Sequence, residues 1–364
     1  MLKKLKQFTL QLIAGANVAT IVLMLLVGYS DRLEPASFPM LATVGLAFPV
    51  LLAINVAFLV FWLLVKARYA LIPVAGLLVG YQPVRTYFPL NLPRSTDSTL
   101  TVVSFNAYDV NHIGQKEFRP QVADYLDSQK ADIVCLQEFS MNAEAYELLT
   151  QHYDYIDTSH VSRHGEALTL LSKYPIVGKE KLYTASHDDK QKVARSVVFY
   201  VVIDQDTVAV VNNHLASTQL TEEERSSFRR IVKGDLKRDS AEHESKRLMK
   251  RLSKSILLRE PQVATVAASL DSLLRVGRSV LLCGDFNDGP ISFAHQQVAR
   301  RLTDCYREGG NGPGISYHEN GLYVRIDHVF CSADWEPRYA KVDSKMSISD
   351  HYPVICRLKK RLKP

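Results

Sequence analysis

The residues able to do chemistry in this 364-residue chain recur at one kind of place, the ends of short β-branched apolar runs. Thr99–Phe105 (TLTVVSF) stops at Asn106, and Ala131–Leu136 (ADIVCL) stops at Gln137-Glu138. Thr207–Val211 (TVAVV) ends at Asn212-Asn213-His214, and Ser279–Cys283 (SVLLC) at Gly284-Asp285-Phe286-Asn287. Tyr323–Val329 contains Asp327, and Lys345–Ile355 contains Ser349-Asp350-His351. Carboxylates and amides offer oxygen to hard divalent cations, and carboxylates and imidazoles take and give protons. A single Asn or Asp at such a point is usually a turn or a cap. Recurrence at five or six run ends calls for a common cause, a cleft at the strand ends of a sheet. Asp285 and Asn287 are two apart and in extended geometry face the same side, while Gly284 permits a sharp turn beside them.

The elements that must carry these groups are strands alternating with helical patterns such as Arg119–Ser128 and Gln262–Leu274. That order predicts a mixed α/β domain over residues 95–364, after the linker Asn91-Leu92-Pro93-Arg94-Ser95. Residues 216–260 read as a charged helical insert, with twelve basic and eight acidic residues and helical runs Glu222–Lys237 and His243–Arg259. Its plain reading is a solvated helical pair; its sharper one is a lid or a surface for anionic headgroups.

Residues 1–94 read differently, as a transmembrane anchor. Gln7–Ser30 and Pro35–Val65 are uncharged for 24 and 31 residues, each long enough for a bilayer. They predict spans over about 8–29 and 40–65, with 69–84 as a third span or a re-entrant segment. The first run is too long for a signal peptide, and a second follows it. This quarter holds eight basic and two acidic residues, leaving 36 of each sign in the rest. The basicity is therefore no sign of a nucleic-acid-binding face. Lys3, Lys4, Lys6, Lys66 and Arg68 put the N-terminus and the second connection in the cytoplasm. Three spans, the favoured count, turn residues 95–364 outward; two keep them inside. The expectation is an integral protein of the cell (inner) membrane. The spans contain no Asp, Glu, Lys or Arg, which favours an anchor over a transporter.

The set SFN (104–106), LQE (136–138), NNHL (212–215), GDFN (284–287), RIDHVF (325–330) and SDHYPV (349–354) resembles the endonuclease/exonuclease/phosphatase superfamily. The likeness covers roughly residues 98–360. It implies a DNase I-like four-layer α/β sandwich and Mg²⁺-dependent phosphoester hydrolysis, with Mn²⁺ as a substitute ion. By resemblance, Glu138 is the principal metal ligand, with Asn106 beside it and Asp350 in the metal region. Asp285 orients or deprotonates the attacking water, and Asn287 donates to the transition-state oxyanion. His351 contacts the scissile phosphate and is held by Asp327, His214 acts on a phosphate oxygen or the leaving group, and Arg195 contacts phosphate.

Substrate expectations are a lipid headgroup, a small phosphodiester or nucleic acid, with the bilayer as the other partner and no protein partner implied. The alternatives are a tethered nuclease and a non-catalytic scaffold of the same fold, the latter requiring a missing site residue that the sequence does not lack. Tyr317, Tyr323 and Arg325 are further candidates for the pocket wall. Cys135, Cys283, Cys305, Cys331 and Cys356 lack a CxxC pair and read as buried structural thiols. No GxGxxG, P-loop, HExxH or internal repeat supports another chemistry.

Overall fold

A computed structural model describes residues 2–97, 99–108, 118–139, 141, 143–161, 167–184, 193–218, 221–233, 235, 238–319 and 321–361. The chain begins with helix α1 (Leu2–Gly28), then a 3-10 turn at Leu41–Ala47 that leads into α2 (Phe48–Val65). Next come α3 (Leu71–Val79) and α4 (Tyr81–Tyr87). At 27 residues, α1 is about 40 Å long, and it and Leu41–Val65 are long and apolar enough to cross a membrane. The third segment is broken at Gly80 but runs parallel to α1. Gly76 lies against Ile21, Gly80 against Met24 and Leu25, and Pro83 against Gly28, while Ala70 clusters with Leu10. It thus climbs from the level of Leu10 to the far end of α1. Asn17 and Asn55, both fully buried, bond each other at 3.3 Å, and Trp62 Nε1 donates to Asn17 Oδ1 at 3.2 Å.

Two six-stranded sheets follow. The first is built from β1 (Leu100–Asn106), β2 (Ile133–Gln137), β3 (Tyr155–His160), β4 (Ala167–Ser172) and two late strands described below. Helices α5 (Phe118–Ser128) and α6 (Ala143–Thr150) cover its outer face. The second uses β5 (Ile176–Thr184), β6 (Val193–Ile203) and β7 (Asp206–His214). After α7 (Glu222–Lys233) and α8 (Arg238–Arg275) it adds β8 (Ser279–Asp285). Then come α9 (Phe293–Ala299), β9 (Thr303–Asp304), α10 (Cys305–Gly309) and β10 (Asp327–Cys331). The late strands β11 (Trp335–Val342) and β12 (Val354–Lys360) return to the first sheet. The orders are β11-β12-β1-β2-β4-β3 and β5-β6-β7-β8-β10-β9.

Strand periodicity builds the layers. Ile133 and Cys135 of β2 and Leu281 and Cys283 of β8 meet between the sheets, while Val134 and Leu136 face α5 and α6, and Val280 and Leu282 face α8. Central strands are buried on both faces, which is why they read as continuous apolar runs rather than alternating ones. The result is the expected four-layer sandwich. All five cysteines are free and buried.

Three element boundaries differ from the sequence reading. The runs His243–Arg259 and Gln262–Leu274 are one helix, α8, which continues through Pro261 out of the insert. Packing of Ile256, Val263, Val266 and Leu270 outweighs the hydrogen bond that proline removes. Strand β7 runs on through Asn212 and Asn213 to His214, because parallel pairing with β8 persists to His214 opposite Asp285. Tyr323–Ile326 is not strand: Ser316 Oγ accepts from the amides of Ile326 and Asp327 at 3.0 and 3.1 Å, and β10 starts there.

Candidate active site

Topology gathers the polar residues at one end of both sheets. β1 and β2 are parallel, so Asn106 and Gln137 finish side by side. β7 and β8 are parallel, so His214 and Asp285 do the same. β10 is antiparallel to β8 and begins at that end, with Asp327 opposite Asp285. β12 is antiparallel to β1, so the Ser349–His351 segment enters there too. Beneath the site the two sheets are locked by Gln137 Nε2 donating to Asn212 Oδ1 at 2.7 Å, and Asn212 Nδ2 donating to Leu136 O at 3.1 Å.

Asp285 is the hub. Its Oδ2 accepts from Asn106 Nδ2 and Asn287 Nδ2, each at 3.1 Å, and lies 3.9 Å from His214 Nε2 and 3.8 Å from His351 Nε2. Its Oδ1 accepts from the Asn287 amide at 2.7 Å. Glu138 Oε1 is 3.1 Å from Asn106 Nδ2 and 3.2 Å from His214 Nε2. His351 Nδ1 meets Asp327 Oδ2 at 2.7 Å. Ser349 Oγ donates to Asn106 O at 2.8 Å and accepts from the His351 amide at 3.1 Å, tying that loop to β1.

The backbone is strained where chemistry is expected. Glu138 and Asn287 adopt φ of +53° and +51°, a left-handed conformation costly for residues with a Cβ. Gly284 has φ +145°, and a Cβ there would lie 2.0 Å from Asn213 O. Only glycine lets β8 pass that close to β7.

Electrostatics separates the groups. Burial raises Asp285 to about 6, with Asp327 adding and His351 and His214 opposing. Burial would also raise Glu138, but its bonds to His214 and Asn106 hold it down at about 2. Burial would lower His351; the carboxylates of Asp327, Asp285 and Asp350 push it up to about 10 instead. His214 is raised because Glu138 and Asp285 outweigh burial, with Arg195 opposing. Asp350 is raised by burial and by Glu138. Asp350 and Arg195 therefore lie within electrostatic reach of the cluster.

Among the described residues, two groups have ligand atoms within 4.8 Å of one another: Glu138, His214 and Asp285, and Asp285, Asp327 and His351. Asp350 is in neither, and Asn106 presents its amide nitrogen, not its oxygen, to the carboxylates. An Asn106 ligand role requires the amide to turn over. The donor set nonetheless suits a hard divalent cation: Glu138 is partly open, Asp285 lies beside it, and Asp327 Oδ1 is buried without a partner.

Sequence reasoning named Gln137, Asn212 and Ser349 only as members of their motifs and missed Ser316; the buried polar atoms of all four hold the frame. Arg259 was also missed; it leaves α8 to bond Ala216 O at 3.0 Å and Asp288 Oδ2 at 3.3 Å. Of the pocket-wall candidates, Tyr317 sets its ring edge on His351 at 5.1 Å and accepts from Arg225 Nη1 of α7 at 3.3 Å. Tyr323 is exposed. Arg325 does not line the pocket: it is 2% exposed, sits over Tyr306 and donates to Pro313 O and Thr86 O.

Residues 107–351 match the sequence model of the Endonuclease/Exonuclease/phosphatase family. The chain belongs to this family. Its members are phosphoester hydrolases. Residues 10–87 match a second model, described as a domain of unknown function (DUF8431). No curated protein matches the chain by sequence. Among solved structures, the catalytic domain of human nocturnin with bound sulfate is 13% identical, with 74% of this chain and 96% of that one covered, at a TM-score of 0.51. A Beutenbergia cavernae endonuclease/exonuclease/phosphatase is 18% identical, with 72% of each chain covered and a TM-score of 0.51. A Bacteroides thetaiotaomicron mannosyl-6-phosphatase is 16% identical, covering 71% of this chain and 99% of its own, at 0.50. At these identities the likeness is one of fold.

Proposed function

We propose that the protein is a membrane-tethered, Mg²⁺-dependent phosphoester hydrolase. The observation that carries this is the setting of Asp285, a buried carboxylate ringed by two imidazoles and two amides at one sheet end, with burial pushing it upward. A base poised near neutral pH is what water activation needs. Asp285 takes the proton of a water that adds to phosphorus as the bond to the leaving oxygen breaks. Asn287 and the His351 imidazolium donate to the phosphate oxygens, Asp327 holds His351 in place, and His214 returns a proton to the departing oxygen. Glu138, with Asn106 after its amide turns and Asp350 nearby, would hold the ion, which supplies charge neutralisation at the phosphate.

The N-terminal bundle supports the tether. Its third segment runs parallel to α1, so the favoured count is three crossings. The catalytic domain meets the end of the bundle opposite Lys3, Lys4, Lys6, Lys66 and Arg68, as in Arg85 to Glu308 at 2.9 Å. With the basic end in the cytoplasm, residues 95–364 face outward. A tether and a catalytic domain of zero net charge favour a lipid headgroup or a small phosphodiester. The basic insert is the one feature that favours the second reading, a tethered nuclease following phosphates.

The test uses the full chain in detergent or nanodiscs with Mg²⁺, against phospholipid vesicles, bis(p-nitrophenyl) phosphate and plasmid DNA. Hydrolysis abolished by EDTA and by Asp285→Ala is expected. DNA nicking with lipid untouched selects the nuclease; activity that survives Asp285→Ala overturns the proposed chemistry.

A further inference from the structure

The catalytic loops and the bundle are not joined only through a linker. Ile291, six residues after Asp285, packs in a cluster with Met24 of α1 and Phe48 and Leu52 of α2. Its carbonyl also faces Gly45 of the 3-10 turn before α2 so closely that a Cβ on Gly45 would stand 2.0 Å from Ile291 O. The loop from β8 to α9 thus has one end at the catalytic aspartate and its middle seated in the bundle. A second loop behaves alike. Arg325, two residues before Asp327, donates to Thr86 O in α4. The two loops are themselves joined, since the Phe286 amide donates to Ile326 O at 2.9 Å. Displacement at Ile291 or Arg325 therefore reaches Asp285, Asn287 and Asp327 within a few residues.

We propose that the N-terminal bundle is a working part of the active site, with Ile291 and Arg325 as positioning residues that take their seats from it and set the two catalytic loops. The inference rests on the reading of Asp285 and His351 as catalytic. A tether acting by proximity alone leaves hydrolysis of a small soluble substrate indifferent to the bundle. A bundle that sets the loops does not, because misplacing a catalytic group by about 1 Å costs on the order of 10²-fold in rate.

Gly45→Ala tests this from the bundle side, more than 200 residues from Asp285 in sequence, by adding one methyl group against the Ile291 carbonyl. Gly15→Ala in α1, with nothing within 4 Å of the added Cβ, is the control. Both full-length proteins are assayed in detergent on bis(p-nitrophenyl) phosphate, with folding followed by thermal melting and by the fluorescence of the two tryptophans, Trp62 buried in the bundle and Trp335 buried in the catalytic domain. The expected result is a fall in kcat of tenfold or more for Gly45→Ala, with KM within twofold and a wild-type tryptophan signal and melting curve, and no change for Gly15→Ala. Ile291→Ala is to follow Gly45→Ala, and Arg325→Lys is to retain more kcat than Arg325→Ala. Unchanged kcat in Gly45→Ala and Ile291→Ala overturns the inference. A loss of kcat that only mirrors the unfolded fraction also overturns it. If Asp285→Ala keeps activity, it is the underlying catalytic reading that fails.

Discussion

Asp327→Asn separates the charge of His351 from its position. In the native protein His351 Nδ1 lies 2.7 Å from Asp327 Oδ2, with both residues buried, and the imidazole is pushed up to about 10. At a charge separation of about 4 Å and an effective dielectric near 20, the pair is worth about 4 kcal/mol. Asparagine keeps the shape and a hydrogen-bonding oxygen but removes that attraction. At 1.36 kcal/mol per pH unit, the loss is equivalent to roughly three pH units, which brings His351 down to about 7. The imidazolium exists below the pKa, so it persists through pH 9 in the wild type and is lost above about 7 in the variant. At pH 9 only about 1% of the variant's His351 is charged, and kcat/KM falls on the order of 100-fold relative to wild type; at pH 6 the deficit is small. The assay is kcat/KM for bis(p-nitrophenyl) phosphate from pH 6 to 9 at saturating Mg²⁺, with the full chain in detergent. A variant profile parallel to the wild type over that whole range refutes the argument, because Asp327 would then not be what keeps His351 charged.

Three further outcomes are expected. Glu138→Ala raises the Mg²⁺ concentration for half-maximal activity by more than the ~10–100-fold typical of losing an outer partner of a metal ligand; a Mg²⁺ titration of kcat reads this, and an unchanged midpoint removes Glu138 from the metal site. Asn17→Leu strands Trp62 Nε1 inside the bundle and removes one of the two donors to Asn55 Oδ1, which is expected to cost ~0.6–2 kcal/mol in a detergent unfolding titration. Glu224 forms a reciprocal cap with Thr221, at 2.9 and 3.2 Å, and receives Arg247 and Arg251 at 3.8 and 3.7 Å. Glu224→Ala therefore loosens α7 by about 1–2 kcal/mol and speeds limited proteolysis within residues 216–260 by ~5–30-fold, with the melting of the rest unchanged.

The sandwich was legible because its central strands are buried on both faces, so each reads as an apolar run that stops where the chain reaches the cleft. The cleft residues stood out because every run either ends or begins at the same end of its sheet. Boundaries were less legible where tertiary pairing overrides local pattern. Asn212 looked like a strand terminus, yet it lies inside β7, because its amide is satisfied by Leu136 O and Thr169 O of the facing sheet. Pro261 looked like a helix end, yet α8 passes through it on the strength of its packing. Ser316 gave no signal at all, since a serine that caps a remote loop has the same local sequence as one in solvent, and Ser349 showed only as a member of its motif, not as the tie to β1.

The bundle repeats this lesson at larger scale. Hydropathy finds α1 and the Leu41–Val65 segment, because burial in any apolar surrounding demands the same composition. It does not register that Gly45 is small to admit the Ile291 carbonyl, or that Asn17 and Asn55 face each other. Arg325 shows how far such pairing can mislead. Two residues from Asp327, it reads as a candidate for the pocket wall, yet its guanidinium is turned onto the carbonyls of Pro313 and Thr86. A cation spent on backbone carbonyls is not available to an anion. In the proposed mechanism the charged donor on that side of the cleft is the His351 imidazolium, whose Nε2 lies 3.8 Å from Asp285 Oδ2, which is why the charge on His351 is the quantity to perturb first.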